Sequence, residues 1–271
     1  MRIALGLEYY GAPFCGWQTQ PSGCAVQDRL ELALQEFADC PVHTITAGRT
    51  DAGVHALAQV VHFDTSVERQ EVSWVRGTNA YLDANIRVLW AKQVAQDFHA
   101  RFSARSRTYD YLLLNDGVDA GLCKGRVGWF HAPLDIGAMQ QAASALLGEH
   151  DFTSFRAAEC QAQSPLRTLT CAQVSCSGKQ LRFRFSANAF LHHMVRNLVG
   201  SLVYIGCGRQ PVSWMAELIA ARDRAKAAPT FAPDGLYLAE IDYDKHWGLP
   251  QFAARNPLFQ GGNYSSILIN E

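Results

Sequence analysis

A carboxylate and a guanidinium two residues apart, Asp51 and Arg49, lie in a short polar run from Thr46 to His55 that is punctuated by Gly48 and Gly53. Strand-like sequence flanks the run, with His43 to Thr46 leading in and Gln59 to Thr65 leading out. A loop clamped between two strands is where a rigid scaffold carries chemistry. The two glycines would free its backbone for φ > 0. Asp51 is then a candidate nucleophile or base, with Arg49 beside it. The plainer alternative is a tight turn whose aspartate bonds its own backbone.

Two other segments hold chemically useful residues. From Phe98 to Tyr109 the chain interleaves Arg101, Arg105 and Arg107 with Phe98, Phe102 and Tyr109, and carries no acid. Cations for phosphates and rings for bases are what a nucleic-acid groove needs. A solvated strand edge guarded by arginines is the alternative. Further on, Arg196 is embedded in the most apolar helical pattern of the chain, among Leu191, Met194, Val195, Leu198, Val199, Leu202 and Val203. A charge there is costly unless paired, so a carboxylate partner is expected, Asp51 being a candidate. The alternative is an arginine that snorkels to solvent.

The elements that must position these residues follow from periodicity. Strands are expected over 2–10, 86–94, 108–115 and 235–243, and a hairpin over 169–176 and 180–186 around Ser177-Gly178. Helical spacing covers 26–38, 72–82, 135–148, 188–205 and 212–222. In the strand from Thr108, Tyr109, Tyr111 and Leu113 share one face, and Asp110, Leu112 and Leu114 the other. The stretch from Phe152 to Leu166 is irregular, polar and long enough to be a binding loop. Strand runs with hairpins, interspersed with amphipathic helices, indicate an α+β fold with a mostly antiparallel sheet. The end of the chain has little pattern and is expected to be partly mobile.

Composition excludes several classes. With 48% hydrophobic and 18% charged residues over 271 positions, the chain has ample material for a core. The N-terminus meets Glu8 without a long apolar run, so it does not read as a signal peptide. No stretch has the length of a membrane span. Together these point to the cytoplasm. The eight cysteines include no C-x-x-C pair, so they are expected to be reduced packing residues rather than metal ligands. His192 and His193 are adjacent and would diverge by about 100° on a helix, a poor shared metal site. No Walker or G-x-G-x-x-G fingerprint supports a nucleotide cofactor. Net charge is −1, which leaves room only for a local basic groove.

The loop Gly48-Arg-Thr-Asp-Ala-Gly-Val-His55 is similar to the catalytic loop of the tRNA pseudouridine synthase A family. The resemblance continues, in that family's order, through Gly16-Trp-Gln, Gln59-Val-Val-His-Phe, Asn79-Ala-Tyr-Leu, Phe98-His-Ala-Arg-Phe-Ser-Ala, Arg107-Thr-Tyr-Asp-Tyr, Asp151-Phe-Thr-Ser-Phe and Asn188-Ala-Phe-Leu-His-His-Met-Val-Arg-Asn-Leu-Val-Gly. It covers the chain to about residue 258. It implies two α+β halves around a central antiparallel sheet, here 1–105 with the nucleophile loop and 106–258 with the base-stacking tyrosine and the arginine helix. The tail 259–271 has no counterpart in it.

The resemblance further implies isomerisation of uridine to pseudouridine at positions 38, 39 and 40 of the tRNA anticodon stem-loop. It implies no cofactor, no metal, and a homodimer that tRNA bridges. Asp51 would be the catalytic carboxylate near C1′ and C2′ of the ribose. It must be ionised, and a guanidinium, taken to be Arg196, favours that form. Arg49 would fill the space of the extruded base and Arg69 would assist. Tyr109 would stack on the flipped base, with Leu236 at its edge. Phe98, His99, Ala100, Arg101 and Phe102, with Glu159, Cys160, Gln161, Ala162 and Gln163, would contact the tRNA backbone. Two rival readings are a non-catalytic RNA-binding protein, which would not need Asp51, and a hydrolase, which would need a second acid or base.

Overall fold

The computed structural model describes residues 1–250, and the expected tail at 259–271 lies outside them. Along the chain come β1 (Arg2–Tyr9), α1 (Val26–Ala38), β2 (Ile45–Thr46), β3 (His55–Asp64), α2 (Glu71–Tyr81), β4 (Ile86–Val94), β5 (Ala104–Asn115) and β6 (Gly128–Phe130). Then follow α3 (Ile136–Ser144), β7 (Gly148–Asp151), β8 (Leu166–Ser177), β9 (Gln180–Ala187), α4 (Met194–Gly206), α5 (Trp214–Ala221) and β10 (Leu236–Tyr243). These residues form two compact units, one taking 1–106 and 237–250, the other 107–236. The sequence reading assigned everything from 106 to 258 to the second half. Tyr237 and the described residues after it instead join the N-terminal unit, because β10 pairs in parallel with β3, Tyr237 opposite His55 and Leu238 opposite Ala56.

In the first unit the strand order is β4-β1-β3-β10, with β2 alongside β3. β1 pairs antiparallel with β3 and with β4. The period-2 alternation explains its two faces. Ile3 lies opposite Phe63 and Leu5 opposite Val61, and Phe63 meets Trp74 of α2 at 5.2 Å. Helix α1 packs on α2 through Phe37, also 5.2 Å from Trp74. On the other face Ala4, Val60 and Val94 pack with Phe98 and Ala100, flanked by Trp90, Tyr243 and Trp247. At the start of α1 the Asp28 carboxylate accepts from the Ala25 N–H at 2.9 Å, which satisfies one orphan donor of the first turn.

The second unit carries the sheet β5-β9-β8-β7, with β6 in parallel beside β5. Tyr109, Tyr111 and Leu113 lie opposite Phe185, Phe183 and Leu181, whereas Asp110 lies opposite Arg184 and Leu112 opposite Arg182. The alternation read from the sequence is therefore the alternation of the sheet. Each unit is thus an α+β body on a mostly antiparallel sheet. On the polar face the buried Asp110 carboxylate holds Arg182 at 2.7 Å and Arg184 at 3.0 Å.

Three local expectations differ from the structure. The helix expected from Asn188 begins only at Met194, preceded by His193 at φ 61°. The backbone before it is bonded elsewhere: Asn188 N–H donates to Thr168 O, and His192 O accepts from Ala157 N–H. Helical propensity there loses to tertiary hydrogen bonds. β3 begins at His55 rather than Gln59, which tightens the catalytic-loop candidate to the residues between β2 and β3. Finally, Cys15 and Cys24 are joined as a disulfide with Cα atoms 5.5 Å apart. The loop doubles back so that Cys15 N–H donates to Cys24 O at 3.1 Å. A spacing of nine residues carries no pairing signal that would have shown this in advance.

Among the described residues no helix is long and apolar enough to cross a membrane. Thiol alkylation of the denatured, unreduced chain is expected to label the six remaining cysteines, and all eight after reduction. Full labelling without reductant would show that the pair does not form.

Candidate active site

The segment carrying Arg49 and Asp51 runs between β2 and β3, and its backbone is bonded on several sides. Ala47 N–H donates to Val60 O at 2.8 Å, Trp17 N–H to Thr50 O at 2.9 Å and Gly53 N–H to Phe14 O at 3.3 Å. The Gly48 carbonyl accepts from Gln59 Nε2 at 2.7 Å and from Thr46 Oγ1 at 3.2 Å. The Thr50 hydroxyl lies 2.8 Å from the Tyr9 hydroxyl. Tyr9, Thr50 and Gln59 are all buried. Burial pushes the Tyr9 phenol up to about 12, against the opposing pull of its bonds to Thr50 and Gln59. Between these anchors Asp51 is half-buried and Arg49 exposed. The loop leaves only short polar tips outside a closed backbone.

The glycines divide their roles differently from expectation. Gly53 does take φ +78°, but Gly48 does not lie in the left-handed region. A Cβ at Gly48 would meet nothing within 4 Å. The glycines that the loop needs at close range are Gly11, where a Cβ would stand 1.9 Å from Val54 O, and Gly16, at φ +100°, where a Cβ would stand 2.9 Å from Thr50 O and 3.1 Å from Ala52 N. The disulfide-closed loop from Cys15 to Cys24 therefore packs backbone to backbone against the residues flanking Asp51.

The basic and aromatic stretch after β4 is also tethered. Phe98 and Ala100 are buried, so from Phe98 to Phe102 His99, Arg101 and Phe102 are the residues that present side chains outward, and further on the exposed Arg105 is paired with Asp244. Phe102 is 75% exposed. His99 stacks on it at 4.3 Å between centroids, and the Arg101 guanidinium lies 5.6 Å from its ring. The tether consists of Ala100 N–H donating to His62 Nδ1 at 3.1 Å, Tyr243 OH donating to Ala100 O at 2.6 Å, and Arg2 donating to Phe98 O at 2.8 Å. Arg2 is itself held bidentately by Asp64 at 2.9 and 2.7 Å, a geometry that suits a guanidinium. The hydrogen bond to Arg2 lowers the pKa of the Asp64 carboxyl. His62 is pushed down to about 4, first by burial and then by the charges of Arg2 and His99. It is a neutral ring whose Nδ1 is an acceptor. Arg69 is exposed on the turn before α2, with its guanidinium 5.5 Å from the Phe37 ring.

The second unit holds the remaining candidates. Tyr109 is buried on β5 and meets Phe190 edge-on at 5.1 Å. Arg196 is half-buried on the first turn of α4 and donates through Nε to Phe231 O at 2.8 Å, and the Phe231 N–H returns a bond to Arg196 O at 3.3 Å. Next to it the buried Asn197 accepts from Arg224 at 3.0 Å and Thr230 at 2.7 Å, and donates to Phe155 O at 2.8 Å. Leu236 is buried at the start of β10, its N–H bonded to Pro233 O at 2.8 Å. In the loop from Glu159 to Gln163, Glu159, Gln161 and Gln163 are exposed and Ala162 half-exposed, while Cys160 is buried. Arg156 ties that loop down by donating to the carbonyls of Cys160 and Ala162.

The residues that sequence reasoning missed are the supports: Tyr9, Thr50, Gln59, His62 and Arg2. Only Gln59 and His62 leave a visible signal, polar side chains inside the apolar run of β3.

The model of the tRNA pseudouridine synthase family matches residues 6–103 and 142–244. The chain is 59% identical over 249 residues to the tRNA pseudouridine synthase A of Paraburkholderia xenovorans, covering 92% of each chain. It is 56% identical over 262 residues to that of Herminiimonas arsenicoxydans, covering 95% of each. To that of Methylobacillus flagellatus it is 57% identical over 250 residues, 92% of this chain and 96% of the relative. These matches, over most of the chain, make the α+β protein an RNA-modifying isomerase. The chain belongs to the tRNA pseudouridine synthase family, enzymes that isomerise uridine of tRNA to pseudouridine.

Two measurements follow from the geometry. Gly53→Ala is expected to destabilise by about 1–2 kcal/mol, since a Cβ is strained at positive φ, whereas Gly48→Ala leaves stability unchanged or raises it by up to ~1 kcal/mol; denaturant melts of both variants check this. For His62, the unfolded ring binds protons from about 6.5 downward and the folded ring only from about 4. Stability is therefore full above about pH 6.5 and falls as pH drops toward 4, by on the order of 2 kcal/mol. His62→Asn keeps an acceptor near the Ala100 N–H and cannot titrate, so it flattens that part of the pH–stability curve. An unchanged slope would exclude His62 as its source.

Proposed function

We propose that this enzyme isomerises uridine at positions 38, 39 and 40 of the tRNA anticodon stem-loop, with Asp51 as its catalytic carboxylate. The reaction breaks the C1′–N1 bond, turns the uracil and forms C1′–C5. The proton at C5 leaves, and N1 ends protonated, so atoms and electrons balance without a redox partner. Asp51 acts at C1′ or C2′ as the ionised group, a form that a guanidinium favours, and Arg196 is the candidate for that catalytic role. The observation that carries this reading is the loop itself: its backbone groups are bonded by Gln59, Trp17 and Phe14 and its Thr50 hydroxyl by Tyr9, while Asp51 is half-buried and Arg49 exposed. A braced backbone beneath the residue that carries the carboxylate is what placement of a reacting group requires.

The target uridine must leave its stack, at a cost of a few kcal/mol. Arg49, exposed and planar, suits the vacated space, and Arg69 supports it. Tyr109 stacks on the flipped base with Leu236 at its edge. His99, Arg101 and Phe102, and the polar residues Glu159, Gln161 and Gln163 with Ala162, meet the tRNA backbone. In that role Phe98, Ala100 and Cys160 act as the buried footings of their loops. The enzyme works in the cytoplasm as a homodimer, with one tRNA spanning both subunits.

The test is tritium release from tRNA labelled at C5 of uracil. Wild-type enzyme releases tritium, whereas a non-catalytic RNA binder or a hydrolase acting elsewhere on the RNA releases none. Asp51→Asn is expected to abolish release while tRNA binding stays within about threefold, since it removes a reacting group and not the binding surface. Residual activity within tenfold of wild type would remove Asp51 from the chemistry.

A further inference from the structure

Three side chains inside the first unit hold the Asp51 loop from beneath, and the resemblance on which the residue roles rest assigns no role to any of them. Tyr9 ends β1, Gln59 lies in mid-β3, and Thr50 immediately precedes Asp51. All three are buried, Gln59 completely. Gln59 Nε2 donates to Gly48 O at 2.7 Å and lies 3.4 Å from the Tyr9 hydroxyl, and its Oε1 accepts from Val60 N–H at 3.1 Å. This arrangement uses every polar atom of the amide and so defines its orientation. The Tyr9 hydroxyl lies 2.8 Å from Thr50 Oγ1, and because its oxygen accepts from Gln59 its O–H is the one left to donate to Thr50. The donor chain runs Gln59 to Tyr9 to Thr50, with a branch from Gln59 to Gly48.

We infer that Tyr9, Gln59 and Thr50 are positioning residues for Asp51, a buried polar brace that holds the loop through the residue before the carboxylate and the carbonyl two further back. The inference rests on the catalytic assignment of Asp51. Bulk hydrophobic packing cannot supply the same control, because it is non-directional, whereas hydrogen bonds in a buried network have set lengths and angles. The brace also joins two strands that pair along their length, β1 and β3, so it references the loop to paired strands of the sheet. The phenol is kept protonated by its burial and serves as a donor across the physiological range. A reacting group displaced by about 1 Å loses on the order of a hundredfold in rate.

The experiment compares Tyr9→Phe, Thr50→Val and Thr50→Ser with the wild-type enzyme. For each, the single-turnover rate of pseudouridine formation at saturating enzyme, the tRNA Kd and the melting temperature are measured. Tyr9→Phe and Thr50→Val, which delete the hydroxyls, are expected to lose between tenfold and a hundredfold in single-turnover rate. Their tRNA Kd stays within about threefold of wild type, since they touch no binding surface. Thr50→Ser keeps the hydroxyl and keeps the rate. The double variant Tyr9→Phe with Thr50→Val is expected to be no slower than the worse single variant, because both remove the same bond. Wild-type rates in Tyr9→Phe and Thr50→Val would overturn the inference, as would rate losses that appear only with unfolding or with a matching loss of tRNA binding. An active Asp51→Asn enzyme, by contrast, would overturn the catalytic assignment beneath it, whatever the brace variants do.

Discussion

The loop that carries Arg49 and Asp51 sets one problem on which the rest of the first unit depends: a polar segment has to lead into the buried strand β3 without stranding its backbone. Buried N–H and C=O groups without partners are expensive. The chain answers with side chains drawn from distant positions. Gln59 takes the Gly48 carbonyl, Tyr9 takes the Thr50 hydroxyl, and the backbone of residues 14 to 17 takes Thr50 O and Gly53 N. With those bonds satisfied inside the unit, Arg49 is exposed and Asp51 half-buried on a loop whose backbone is held. The Gly16 backbone can come within reach of Thr50 and Ala52 only because it has no Cβ, and the Cys15–Cys24 link closes the loop that brings it there.

The same logic recurs at the stretch from Phe98 to Phe102. A run of arginines and aromatics would be a floppy arm if it were merely polar. Here alternate residues are sunk, with Phe98 and Ala100 in the core beside Tyr243 and Trp247, and their backbone is bound by Arg2, His62 and Tyr243. Burying an imidazole is tolerable because it can be neutral, and the environment of His62 keeps it so. What projects is a small ordered cluster of His99, Arg101 and Phe102. Its side chains lose less freedom on meeting a partner than an unanchored segment would.

In the second unit, tertiary bonds override local preference. The six residues before α4 have helix-compatible composition, yet Asn188 and His192 are committed to Thr168 and Ala157. Starting α4 at Met194 puts Arg196 in the first turn rather than the middle of a long helix. A guanidinium buried mid-helix in apolar surroundings would be costly. In the first turn its Nε reaches the carbonyl of Phe231, and Asn197 beside it gathers Arg224, Thr230 and Phe155 into one network.

By itself the sequence determined the class of the fold, the alternating faces of β5, the loop that carries Asp51 and Arg49, and the family. Those features depend on residue type and short-range spacing, which periodicity and motif order report directly. Tertiary structure alone decided the return of β10 to the N-terminal unit, the start of α4, the joining of Cys15 to Cys24, the burial of Phe98, Ala100 and Cys160, and the brace of Tyr9, Thr50 and Gln59. Each of these depends on groups that lie far apart in the chain and meet only when strands pair. Forty-one residues separate the two hydroxyls of the brace, and a hydrogen bond over that distance leaves no periodic trace. Gly48 shows the same division: its type announced a loop, but only the fold revealed that its carbonyl, and not its conformational freedom, is what the loop uses.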